Sequence, residues 1–94
     1  MDPELQTKLL LNLLPYHPAR IGVFGSFARG ENKKSSDLDI LIKFKERISL
    51  LKLVQIEQEL SDKLGLQIDL VTENSLKNPR LKKHIEKDLI TICE

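Results

Sequence analysis

The sequence predicts an α/β (α+β) fold: a small mixed β-sheet of three or four strands flanked by helices, in the order α-β-α-β-α-β-α. Three observations carry that reading. The run Asp37-Leu-Asp-Ile-Leu-Ile-Lys-Phe44 alternates with the period of a strand. The run Gly65-Leu-Gln-Ile-Asp-Leu-Val-Thr72 is rich in branched residues and bounded by glycine, again as strands are. Two leucine-rich stretches, 3–14 and 50–64, instead space their apolar residues along one face of a helix.

In chain order, Pro3 suits a first helical position, since its missing N–H would find no partner there anyway. The helix it opens runs through Leu14, with Leu5, Leu9, Leu10, Leu13 and Leu14 as the apolar stripe. Pro15 and Pro18 end it and turn the chain into a short strand, Ala19–Phe24. Gly25 and Ser26 follow, Ser26 as a helix N-cap, then one helical turn Phe27–Arg29 stopped by Gly30. The segment from Gly30 to Ser36 is polar and reads as a loop. After the 37–44 strand, Ser49 is the expected N-cap of a helix Leu50–Leu64 closed by Gly65. Its core face is expected to use Leu50, Leu53, Val54, the aliphatic neighbours of Glu57, Leu60 and Leu64. Ser75-Leu76 opens a turn before a helix from about Pro79 to Asp88, and Leu89–Ile92 adds a short strand or packs as an irregular tail.

The chemistry concentrates in the carboxylates. Asp37 and Asp39 fall on the polar side of their strand, roughly 6.6 Å apart at twice the strand rise. At that spacing two carboxylates can converge on one hard cation or bracket two ions roughly 4 Å apart. Asp69 sits opposite Ile68 and Leu70 in its own strand, where an acid is costly to bury without a positive partner. With the two strands side by side, Asp37, Asp39 and Asp69 form a cluster whose mutual repulsion a cation relieves. No His or Cys cluster accompanies them, so oxygen-preferring Mg²⁺ is the expected ion, with Mn²⁺ as a substitute. Gly25 lets backbone approach a ligand closely, and free N–H groups of the following turn suit phosphate oxygens. Arg29 adds charge there or pairs with an acid. Neither a Walker A loop nor a GxGxxG fingerprint is present.

Gly25-Ser26-x-Ala28-Arg29-Gly30, ten residues between Ser26 and the Asp37-x-Asp39 pair, and a later strand with Asp69 resemble the nucleotidyltransferase superfamily. Its members include DNA polymerase beta and kanamycin nucleotidyltransferase, and the short chain is similar to the minimal (MNT-type) members. The resemblance implies a nucleotidyltransferase fold over about Arg20–Thr72 and less closely through the tail. It also implies that Gly25 and Ser26 hold the β- and γ-phosphates of ATP. Asp37 and Asp39 then bind the metal bridging the triphosphate, and with Asp69 a second metal that activates the acceptor hydroxyl. Asp69 is the implied catalytic acceptor of that hydroxyl's proton. The implied activity is transfer of AMP from ATP to a tyrosine of a HEPN-family toxin, with this chain as the antitoxin. Two alternatives stay open: an antitoxin that neutralises its partner by occlusion without catalysis, and transfer to a small molecule such as an aminoglycoside.

Composition fits this size of enzyme. The 94 residues are read as one domain, 1–94, and a hydrophobic content of 40% is enough for an aliphatic core. A net charge of +1 and four aromatics supply neither a basic footprint nor a stacking platform, so direct nucleic-acid binding is not expected. Lone Cys93, no apolar run near ~20 residues and no signal peptide point to the cytoplasm and away from membranes. Lys77, Arg80, Lys82, Lys83 and Lys87 read as a solvated helix face, and His17 and His84 have no partner suggesting a metal site. Large relatives grip substrates with extra domains, so here a second chain, a partner or another copy, is expected to complete the site.

Overall fold

The computed structural model describes residues 1–94 as a four-stranded mixed sheet with four helices. Helix α1 spans Pro3–Leu13; Asp2 caps it, accepting a hydrogen bond from the Glu4 N–H at 3.0 Å. Pro15 ends the α-helix, and the chain tightens into a 3₁₀ turn at Leu14–Tyr16. His17 then takes a left-handed conformation, φ 56°, and turns the chain into strand β1, Pro18–Phe24. Helix α2 is one short turn, Gly25–Arg29, closed by Gly30. Strand β2 (Leu38–Phe44), helix α3 (Leu50–Leu64), strand β3 (Ile68–Thr72), helix α4 (Pro79–Asp88) and strand β4 (Ile90–Cys93) complete the order. The tail 89–92 is thus largely a true strand, and the number of strands is four.

The strands lie in the order β3-β2-β1-β4. β1 runs antiparallel to both β2 and β4, while β2 and β3 are parallel and joined by α3. Ile21 and Val23 of β1, Leu38, Ile40 and Ile42 of β2, and Ile68 and Leu70 of β3 turn to one face. Leu9 and Leu13 of α1 and Ile56 and Leu60 of α3 close over them, with Phe27 of α2 filling the end of the same core. On the opposite face Leu41 and Ile85 are buried beneath α4. Arg20 of β1 pairs with Glu73, just after β3, in a bidentate contact through Nε and Nη2, with Nε–Oε2 2.8 Å, and so bridges across strand β2. No helix is long and apolar enough to cross a membrane.

The helix caps agree with the sequence at Ser49, whose hydroxyl accepts from the Lys52 N–H at 3.1 Å, and at Gly65, left-handed at φ 66°. The core faces are corrected. On α3 the buried stripe is Ile56 and Leu60 flanked by Leu53 and Leu64, while Leu50 and Val54 are 76% and 53% exposed. Two leucine phases compete on this helix, and the sheet takes the one that brings Ile56 inward. Leu14 is likewise half exposed, because the 3₁₀ turn at Pro15 breaks the phase of α1.

The assignment of faces has a direct consequence. Leu60→Ala is expected to cost about 2–5 kcal/mol in urea unfolding, as a core truncation does. Leu50→Ala is expected to stay within about 0.5 kcal/mol of wild type. Equal losses for the two would contradict the outward placement of Leu50.

Candidate active site

The candidate residues converge where β1 ends, β2 begins and β3 begins. Antiparallel pairing sets Phe24 opposite Asp39, so the turn that leaves β1 lies directly beside that acid. Gly25 has φ +73°, and a Cβ built on it would overlap Asp39 Oδ2 and come within 3.2 Å of Cγ. A side chain at Gly25 would be strained at this φ and would also require the Asp39 carboxylate to move aside.

Ser26 is not the N-cap of α2. Phe24, with extended backbone, holds that position without a side-chain bond, and Gly25 already belongs to the helix. Ser26 therefore lies inside the first turn, where its hydroxyl has no protein partner among the hydrogen bonds and its backbone N–H has none within the helix. The first-turn N–H groups and this hydroxyl stay available beside Asp39.

Parallel pairing sets Asp39 directly opposite Asp69. Burial lifts the Asp39 carboxyl above the usual carboxylate range; the Asp69 and Asp37 charges and a hydrogen bond with Asp69 lift it further, and Arg29 pulls it back. Asp37 differs from the sequence expectation. It precedes β2 by one residue and is exposed, outside the ladder that holds Asp39, though its charge still reaches the Asp39 carboxyl. No three His, Cys, Asp or Glu side chains are gathered as a ready-made metal cage. The pair Asp39–Asp69 is assembled and Asp37 stands nearby, outside it.

A hard dication fits this donor set. Carboxylate oxygens are its preferred ligands, and the charge crowding that raises Asp39 is what a bound cation removes. Asp39 and Asp69 would hold it.

Arg29 pairs with acids. Its Nε donates to Glu31 Oε2 at 3.0 Å and its Nη1 to Asp88 Oδ2 at 2.8 Å. Together with Asp39 and Asp69 it lines a cleft of about 340 Å³, whose far wall is α4. Leu81, His84, Ile85 and Asp88 face this cleft, with Phe24, Val71 and Leu76 completing an apolar lining. Sequence reading missed that α4 contributes to the site. The signal is the i, i+3, i+4, i+7 spacing of those residues, which defines one helix face. Lys77, Arg80, Lys82, Lys83 and Lys87 are all exposed and none lines the cleft. His84 is near the acids but makes no hydrogen bond.

The raised Asp39 carboxyl fixes a pH dependence. The folded state holds that proton more tightly than the unfolded chain, so the linked stability is full below the ordinary carboxylate pKa of about 4. It is lost as pH rises through the raised folded value. Asp39→Asn is expected to melt above wild type at pH 7 without divalent cation, and level with it near pH 3. Added Mg²⁺ should stabilise wild type alone. Thermal scans check this, and a variant melting at or below wild type at pH 7 would refute it.

A family model described as "Nucleotidyltransferase domain" matches residues 6–92. A protein of Methanocaldococcus jannaschii provisionally named protein adenylyltransferase is 56% identical over 77 residues, 82% of this chain and 79% of that one. The fold superposes on a chain from a toxin–antitoxin crystal structure with AMP-PNP at TM-score 0.83 and 21% identity, covering 93% of this chain and 71% of that one. It also superposes on a chain from a tri-AMPylated HEPN toxin of Shewanella oneidensis in complex with MNT antitoxin. There the TM-score is 0.78 and the identity 19%, over 98% and 71% of the two chains. At these identities the two structures speak to the fold. With nearly the whole chain under one family model and a relative at 56% identity, the chain belongs to the nucleotidyltransferase domain family and is a transferase of that family.

Proposed function

We propose that this chain transfers AMP from Mg²⁺-bound ATP to a tyrosine hydroxyl of a HEPN-family toxin and acts as its antitoxin. The observation that carries the reading is the three-strand junction in which Gly25 packs on Asp39 and Asp39 faces Asp69. The relative named as a protein adenylyltransferase supports AMP as the transferred group. The AMP-PNP complex and the AMPylated HEPN toxin among the structural neighbours support ATP and the acceptor class.

In this mechanism the α2 turn at Gly25 and Ser26 receives the β- and γ-phosphates through N–H groups and the Ser26 hydroxyl. Arg29 adds positive charge at the same end of the cleft. Asp37, Asp39 and Asp69 would hold Mg²⁺, two ions by the family pattern, which supplies positive charge against the charge developing on the transferring phosphate. The acceptor oxygen attacks the α-phosphorus, a new O–P bond forms, and the bond to the bridging oxygen breaks, releasing pyrophosphate. Asp69, exposed at the side of the pair away from the phosphate turn, takes the hydroxyl proton. Residues 1–94 act as a single domain in this reading, in the cytoplasm, with the toxin supplying the acceptor side.

One observation favours a second reading, neutralisation by occlusion: the three acids are not gathered into a cage. The two separate cleanly. With ATP labelled at the α-phosphate, Mg²⁺ and the HEPN partner, label is expected on the partner, and none from γ-labelled ATP. Asp39→Asn should reduce transfer by at least about a hundredfold, given several kcal/mol of metal-derived charge stabilisation. Asp37→Asn should bind the partner yet fail to protect cells from it. Full protection by Asp37→Asn with no label transferred by wild type would establish occlusion instead.

A further inference from the structure

Asp88 is placed where a carboxylate is poorly served by the fold. It is the last residue of α4, the end at which the helix dipole disfavours negative charge. Its side chain is only 19% exposed. Its one side-chain hydrogen bond is the 2.8 Å contact from Arg29 Nη1. Nothing in the packing of α4 requires an acid there, since Leu81 and Ile85 already supply its apolar contacts to the cleft and sheet. A rule broken this way, with a single compensating partner, marks a position set by that partner.

The partner is Arg29, on the opposite wall of the same cleft and 41% exposed. Glu31 engages its Nε and Asp88 its Nη1, on two edges of the guanidinium. A guanidinium held at two edges keeps one orientation, and its remaining N–H donors have no protein partner. Arg29 lines the cleft that also contains Gly25 and Asp39. Glu31 alone cannot fix the direction, because it is two residues away on the same exposed turn and is 67% exposed itself. Asp88 comes from a separate, packed helix and supplies the rigid end of the clamp.

We infer that Asp88 is a positioning residue, which holds Arg29 with its free donors toward the triphosphate of the bound nucleotide. This deepens the reading of the cleft as a nucleoside triphosphate site and rests on it. α4 thereby acts on the donor substrate without touching it, through one charged hydrogen bond.

The test is Mg·ATP affinity by calorimetry across a double-mutant cycle. Asp88→Asn is expected to weaken Mg·ATP binding about tenfold, as loss of a charged hydrogen bond does. Arg29→Met should weaken it at least as much, and the double variant no more than Arg29→Met alone. Asp88→Glu should recover most of the affinity, and Asp88→Ser replaces Asp88→Asn where the latter is unstable. A role confined to stability would lower the melting temperature of Asp88→Asn and leave affinity within twofold of wild type. That result overturns the assignment alone, as do losses that add in the double variant. Failure of wild type itself to bind Mg·ATP overturns the nucleotide reading and the assignment with it.

Discussion

The site depends on the parallel pairing of β2 and β3, which sets two acids side by side that would otherwise separate. Leu38, Ile40 and Ile42 on one strand and Ile68 and Leu70 on the other must all face α1 and α3. With a side-chain period of two, Asp39 and Asp69 are then forced to the opposite face, and the register makes them direct partners. A slip of one residue would turn the acids into the core and the aliphatics out. Each buried aliphatic side chain contributes about 1.5–3 kcal/mol. Repulsion between two carboxylates near a surface is on the order of a few kcal/mol and is reduced by solvent screening. Core burial therefore wins easily, and the fold holds an unfavourable charge pair that a cation or a proton relieves.

Gly25 joins the α2 turn to that pair. Its left-handed φ and its contact with the Asp39 carboxylate are two separate demands, and each alone favours glycine. A side chain there would push Asp39 away from Asp69 or tilt α2 off the end of β1. Turn and acid thus act as one unit, and the position of either reports the position of the other. Phe27, buried in the main core, anchors α2 from below and keeps that unit on the end of the sheet.

What could be read from the sequence follows the strength of local constraint. Period two in 37–44 and 68–72 identified the face of Asp39 and Asp69, because a strand offers only two faces. Ser49 and Gly65 bounded α3 well, since a hydroxyl at the N-cap and a left-handed C-cap each have few alternatives. Asp37 was misplaced because strand ends are set by pairing, and β2 finds its partner only from Leu38. Ser26 was misplaced because Gly25 enters the helix at positive φ, a conformation invisible in residue identity. The α3 stripe was drawn one step too far round the helix, because Leu50 and Val54 fit a helical period beside Leu53, Leu60 and Leu64, which do face the core. The contribution of α4 was hidden for a different reason: its cleft face is defined only by what lies across from it.

Access to Asp69 follows from how the sheet ends. β3 is an edge strand, and an edge leaves unpaired N–H and C=O groups open to pairing with another chain. Here the Leu70 N–H donates to Glu57 Oε2 of α3 at 2.9 Å, so a carboxylate occupies the position that an added strand would use. That bond lies one residue from Asp69, whose own side chain points to the other face and stays exposed. The edge is closed to strand addition while the acid remains open to the cleft. α1 and α3 fill the face below, and α4 covers the face above on the side of β1 and α2. The side left open at the acid pair is that of β3, toward Asp69 and away from the α2 turn. The proposed transfer needs donor and acceptor on opposite sides of the acid pair, as in-line displacement at phosphorus does, and the open β3 side is where such an acceptor would enter.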